Sequence, residues 1–322
     1  ISPAKAEAIA SALNEQRGLR EIVMFLQEYG ISPSVCVKIY RAYAHNAIQV
    51  IKENPYSLCD DIFGIGFKTA DRIAMKLGID PVSKFRIKSG IKYILSHAAS
   101  NGHTYIPENI LREKAAELLG VGDVDIEDAL ISLIFDRAAV SEKGKDANNI
   151  YLSSFYNAEL GVCKRLIALS QTRFELDDAA FRDKLEKHQQ DEGIELAQRQ
   201  VEAIREAMIN GVLVITGGPG TGKTTIIKAI IKLLMGDGFK VALAAPTGRA
   251  AKRMTETAGF EAKTIHRLLE IGYASLEENE LFFQRNENNP IDADVIIIDE
   301  MSMVDILLMN HLLKAVRPGT RL

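Results

Sequence analysis

Gly217, Gly222, Lys223 and Thr224 stand at the spacing G-x-x-x-x-G-K-[ST], and each residue type has a task in holding a polyphosphate. The run Gly217, Gly218, Pro219, Gly220, Thr221 and Gly222 makes a tight turn that lets backbone N–H groups converge with few Cβ atoms in the way. Lys223 can reach β- and γ-phosphates, the Thr224 hydroxyl can ligate Mg²⁺, and Thr225 continues the same turn into a helix. Further along, Asp299 and Glu300 close the apolar run Val295–Ile298. Asp299 could share Mg²⁺ with Thr224, while Glu300 could orient or deprotonate an attacking water. Lys223, Asp299 and Glu300 are thus the candidate catalytic groups, and cleavage of a nucleoside triphosphate is the chemistry they would perform. Glycine turns also close ordinary strands and acidic pairs also decorate surfaces. The flanking pattern favours the phosphate site here.

That pattern is strand, loop, helix. Val212–Ile215 reads as a buried strand leading into the loop, and Ile226, Ile227, Ile230 and Ile231 give the helix after it an apolar face. Lys240–Ala245 and Asp294–Asp299 read as further strands, and the turn Pro246–Arg253 runs into a helix. Strands alternating with helices predict a parallel sheet in an α/β domain over residues 196–322. The carboxylates then lie at the C-terminal edge of the strands, where such sheets collect ligands.

The N-terminal portion has a different texture. Residues 1–95 read as short helices separated by glycine turns. The informative turn is Gly64-Ile65-Gly66, with Lys68 and Arg72 on the helix that follows. It resembles a helix-hairpin-helix, whose turn offers backbone amides to a DNA phosphate without reading sequence. The same turn could merely close a helical hairpin. A looser copy around Gly30 makes the region a tandem pair, with the second copy the competent one. After an amphipathic helix over Ile87–Ala99, Gly102–Pro107 reads as an extended link within residues 96–157, with further helices over 108–119 and 126–135. A β-hairpin around residues 142–149 completes a winged-helix-like module. Its many acidic residues favour bracing over DNA contact. Residues 158–195 read as a helical linker with a solvated, doubly charged face over 175–195. The fold class expected is therefore an all-α helix-hairpin-helix and winged-helix-like region followed by an α/β P-loop domain.

Composition narrows the setting. With 47% hydrophobic and 25% charged residues over 322 positions, the chain is an ordinary multidomain globular one. No apolar run approaches the roughly 20 residues of a membrane span. Cys36, Cys59 and Cys163 lack ligand spacing, which points to a reducing cytoplasmic setting without a zinc site. A net charge of −4 leaves nucleic-acid binding to local patches and backbone amides.

Four ordered motifs carry a resemblance. The segments Gly217–Thr225, Ala245–Arg253, Lys263–Leu269 and Ile298–Ser302 together resemble the RecD-type superfamily 1 DNA helicases. The hairpin region, with Asn54–Leu58 and Gly64–Asp71, resembles the branch of that family with a long N-terminus. The resemblance implies ATP as the fuel with Mg²⁺, 5′ to 3′ translocation on single-stranded DNA, unwinding at forks, and work in repair or recombination. It implies that Gln200 reads adenine, with Gln198 close enough to blur the register. It also implies that Pro246, Thr247 and Arg249, and Thr264 and His266, touch DNA beside Gly64, Gly66 and Lys68. In that family Pro318–Leu322 leads into a further strand and a second RecA-like domain that supplies arginines to the γ-phosphate. Residues 196–322 would then be a first motor domain, with little ATPase activity by itself. Two other readings stay open. One is the motor of a conjugative relaxase, which would bring a histidine-cluster nuclease, whereas this chain has six dispersed histidines. The other is a DNA-binding adaptor with a regulatory nucleotide site. The chain is expected to be monomeric, and any nuclease or repair partner is left open.

Overall fold

The computed structural model describes residues 3–62, 64–218, 220–273 and 281–322. The chain forms two compact units, residues 1–156 and 157–322.

In the first unit, α1 (Pro3–Gln27), α2 (Pro33–Tyr43), α3 (Ala47–Glu53), α4 (Ser57–Asp61) and α5 (Phe67–Lys76) surround one core. Pro33 pre-sets the first turn of α2, and Gly30 adopts φ +73° between α1 and α2. Leu26, Ile39, Ile51, Leu58 and Ile73 are fully buried together. A second core follows from α6 (Lys84–Ser100), β1 (Tyr105–Pro107), α7 (Glu108–Leu119), α8 (Asp123–Phe135), β2 (Ala139–Lys143) and β3 (Asn148–Leu152). Helix α5 serves both cores. Ile73 faces the first, while Phe67, Ala70 and Ala74 face the second. Arg86 braces this arrangement from α6: its Nε donates to Asp71 Oδ1 at 2.8 Å, and Nη1 donates to the carbonyls of Pro81 and Leu119. The segment expected as an extended link becomes β1, the edge of an antiparallel sheet of order β1-β3-β2. Ile106 opposite Ile150 sets its register. The order helix, strand, helix, helix, hairpin is that of a winged helix.

Helix α9 (Ser153–Ser170) carries the chain into the second unit. There α10 (Asp178–Glu192), α11 (Gln198–Ile209) and α12 (Lys223–Gly236) precede β4 (Val241–Ala245), α13 (Gly248–Ala258), β5 (Ala262–Thr264) and α14 (Ile265–Leu268). Then come the hairpin β6 (Ile271–Tyr273) and β7 (Leu281–Phe283), strand β8 (Val295–Ile298) and α15 (Ile306–Lys314). Strands β5-β4-β8 form the parallel sheet. Alternation along the strands sorts the helices. Leu243 packs with Ile231 of α12 and Met254 of α13, whereas Ala244 and Ile296 pack with Leu308 and Leu312 of α15. Apolar residues on both faces explain the unbroken Val-Ile-Ile-Ile run of β8.

Two expectations need correction. Val212–Ile215 is not a buried ladder strand. Leu213 N–H donates to Leu322 O and Leu322 N–H donates to Gly211 O, both at 2.9 Å, and the described pairing stops there. Val214 is 81% exposed. Both of these bonds are made with Leu322 alone. The charged stretch 175–195 is not only a solvated face, since α10 buries Phe181, Leu185 and His188 against α11 and α12.

Candidate nucleotide site and phosphate-facing turns

The loop before α12 needs its glycines for geometric reasons. Gly220 and Gly222 adopt φ +76° and +81°, and a Cβ at Gly217 would lie 2.7 Å from Thr221 Oγ1. Pro219 lies outside the described residues. Gly222 is the N-cap of α12, and the first backbone bond of that helix is Ile226 N–H to Gly222 O. The amides of Lys223, Thr224 and Thr225 therefore have no acceptor within the helix and point from its positive end, a donor set suited to phosphate. Lys223 Nζ folds back over the loop and donates to Gly217 O at 2.5 Å and Gly218 O at 3.0 Å, while Thr221 Oγ1 donates to Gly218 O. The ammonium is thus held at the mouth of its own cradle. Thr224 is exposed and Thr225 half-buried.

Asp299 follows β8. Its N–H donates to Ala244 O at 3.0 Å, and its Oδ1 accepts from Glu300 N–H at 2.9 Å. Lys223 and Asp299 line one cavity of about 370 Å³, with Ile215 and Ile298 among its apolar walls. Thr224 and Glu300 lie outside that lining. Glu300 is exposed and holds φ +55°, ψ +42°, a left-handed conformation costly for a residue with a Cβ. Among the described residues no cluster of three or more His, Cys, Asp or Glu could hold a metal ion. An ion at Asp299 would therefore draw its other ligands from Thr224, water and phosphate oxygens, as Mg²⁺ commonly does.

Gln200, in the first turn of α11, is tied to the loop itself. Its Oε1 accepts from Ala197 N–H at 2.9 Å, and its Nε2 donates to Thr221 O at 3.2 Å. A Cβ on Gly222 would collide with that Nε2. Sequence spacing marks Gln200 but not this bond, which spans 21 residues.

The turns after β4 and β5 share the same edge, since Ala245 pairs with Thr264. Thr247 caps α13, with Oγ1 accepting from Ala250 N–H, and Thr264 caps α14, accepting from Arg267 N–H, each at 3.2 Å. Both hydroxyls keep their own proton to donate. Pro246 follows β4 directly, and Arg249 is exposed in the first turn of α13. His266 is half-buried with its ring centroid 5.9 Å from Phe283, which also meets His311 at 4.8 Å. Burial pushes the His311 imidazole below its ordinary pKa, and nearby Lys314 adds to the effect. Neither Phe283 nor His311 carries a sequence signal for this contact.

In the first unit, Gly64 holds φ +101°, and Gly66 is the N-cap of α5 with extended backbone. Buried Ile65 anchors the turn through Ile65 N–H to Ile62 O. A Cβ at Gly64 or Gly66 would meet nothing within 4 Å, so the turn faces open space. Lys68 and Arg72 are exposed on α5. The amides of Phe67 and Lys68 start the helix and have no acceptor within it, a donor set suited to an anion.

Residues 15–105 match the family described as the ATP-dependent RecD2 DNA helicase HHH domain, and residues 200–322 match the AAA domain family. The chain is 29% identical to the ATP-dependent RecD2 DNA helicase of Deinococcus radiodurans, over 100% of this chain and 45% of that protein. It is 34% identical to the RecBCD enzyme subunit RecD of Mycobacterium tuberculosis over 200 residues, 55% of this chain and 32% of the subunit. It is 43% identical to the ATP-dependent DNA helicase dda of Enterobacteria phage T4 over 105 residues, 32% of this chain and 24% of the relative. The chain thus spans less than half the length of each of these relatives. A RecD2-type hairpin region, ahead of a phosphate loop whose lysine shares a cavity with the aspartate ending β8, makes this chain similar to the RecD-type DNA helicases in both of its matched regions.

Proposed function

We propose that this chain is the nucleotide-binding and DNA-gripping portion of an ATP-dependent DNA helicase that moves 5′ to 3′ on single-stranded DNA and opens forks during repair or recombination. The observation that carries this reading is the convergence of Lys223 and Asp299 on one cavity, beside the outward amides of α12. Bound ATP with Mg²⁺ would supply the phosphoanhydride whose cleavage drives movement. Residues Gly217–Thr225 would cradle its phosphates, and Lys223 would leave the loop carbonyls to pair with β- and γ-oxygens. Thr224 and Asp299 would hold the ion, and Glu300 would orient and deprotonate water. Gln200 would read adenine from its place against Thr221.

The DNA contacts belong to turns, not to a basic face. Pro246, Thr247 and Arg249 with Thr264 and His266 on one unit, and Gly64, Gly66 and Lys68 on the other, would take phosphate through hydroxyls, amides and single cations. Such contacts bind any sequence.

The direct test is Lys223→Ala in calorimetry with ATP and Mg²⁺. Removing the cation held by the loop carbonyls should lower affinity at least tenfold while thermal unfolding without nucleotide stays unchanged, since no core cavity is made. Equal affinity in the variant would reject the site.

A further inference from the structure

Helix α8 has two apolar faces, and only one has a partner in its unit. Ile126, Ala129, Leu130 and Leu133 are buried in the winged-helix core. On the other side Val124, Ile131 and Phe135 are 73%, 57% and 85% exposed. At about 100° per residue these three fall within about 40° of one another, with Asp128 beside them. A lone exposed apolar side chain needs no explanation, but a stripe along about three turns of one helix does.

The winged-helix order makes α8 the second helix of its helix-turn-helix pair, the one that DNA-binding versions lay in a major groove. Its chemistry here forbids that use. Residues 123–135 contain Asp123, Asp125, Glu127 and Asp128 and no lysine or arginine. Arg112 of α7 engages Asp123 and Glu127. Among the described residues Asp125 and Asp128 take part in no ion pair, and Asp128 lies beside the stripe. A phosphate backbone would be repelled, and the three large side chains would find no match on it.

We infer that the outer face of α8 docks a basic amphipathic helix of another protein, with aliphatic anchors against Val124, Ile131 and Phe135 and a lysine or arginine opposite Asp128. Anchors seven and four residues apart share one helix face, as helices that read one another require, and the carboxylates select the sign of the charge. The module then recruits a partner while the turns described above hold DNA. This inference stands apart from the nucleotide site and does not depend on it.

The test uses fluorescence anisotropy with a labelled 18-residue helical peptide bearing leucines on one face and lysines on both flanks, and a second peptide with glutamates in place of the lysines. The 322-residue chain should bind the lysine peptide at least tenfold more tightly than the glutamate peptide. The exposed pair Ile131→Ser and Phe135→Ser should remove that binding at least tenfold with unchanged thermal unfolding, and Asp125→Lys with Asp128→Lys should reverse the preference between peptides. Failure to bind, equal binding of both peptides, or binding indifferent to Ile131→Ser and Phe135→Ser would overturn the inference. It would also be overturned if sedimentation showed a dimer that Phe135→Ser dissociates, or if the same variant weakened binding of a duplex oligonucleotide. Those results would assign the stripe to a second copy or to DNA.

Discussion

Gly222 is the residue where backbone and side-chain constraints meet. Its φ of +81° excludes other residues at a cost of about 1–2 kcal/mol, and a Cβ there would drive into Gln200 Nε2. Gly222→Ala should therefore do two things together. It should lower the stability of the second unit by about 1–2 kcal/mol, and it should weaken ATP binding by disturbing both the α12 cap and the Gln200 contact with Thr221. Thermal unfolding and calorimetry on one variant read both. Loss of stability with intact ATP affinity would uncouple Gln200 from the site. Glu300 illustrates the opposite case, a side-chain-bearing residue kept at positive φ. The Asp299 carboxylate accepts its N–H.

At the scale of elements, helix N-termini recur at the proposed contacts. Helices α5, α12, α13 and α14 each begin at a turn proposed to meet phosphate, capped by Gly66, Gly222, Thr247 and Thr264 respectively. The α5 turn allows a clean test, because Gly66 has φ −95° and open space where a Cβ would go. Gly66→Val should fold normally, yet its side chain would stand between the amides of α5 and a DNA phosphate. Affinity for single-stranded DNA should fall several-fold at low salt, with no change for one base sequence over another. Wild-type affinity should drop steeply with salt, by a slope of about −0.7 per phosphate neutralised on a single strand. A flat salt dependence, or wild-type affinity in Gly66→Val, would remove the hairpin from the DNA path.

The whole molecule carries separate cores in its two units, two in residues 1–156 and several around the parallel sheet in residues 157–322. The candidate nucleotide site lies wholly in the second. Calorimetry should accordingly resolve two unfolding transitions, and ATP with Mg²⁺ should raise only one of them. At a ligand concentration of 100 Kd the gain is about 2.7 kcal/mol, which for a unit of this size is about 5–10 °C. Lys223→Ala should abolish that shift and leave the other transition in place. A single transition, or two that move together with nucleotide, would contradict independent units.

The sequence by itself determined the features that depend on local backbone geometry and burial period. A phosphate-binding turn must have glycine where φ is positive, so Gly220 and Gly222 announce the loop. A strand buried on both faces must be apolar throughout, so Val295–Ile298 announces β8 and places Asp299 at its end. The hairpin Gly64-Ile65-Gly66 is legible for the same reason. What only the tertiary structure decided depends on partners distant along the chain. Val212–Ile215 has the composition of a core strand, yet its pairing lies with Leu322, over a hundred residues away. Tyr105–Pro107 becomes a strand because β3 offers it an edge. The charged α10 is half core because α12 covers Phe181 and Leu185. His266 packs on Phe283, and Arg321 lies between the rings of Phe174 and Phe239 while donating to Met208 O. The outer stripe of α8 also required the fold, because periodicity shows that a helix is apolar and only packing shows which of its apolar faces is left uncovered.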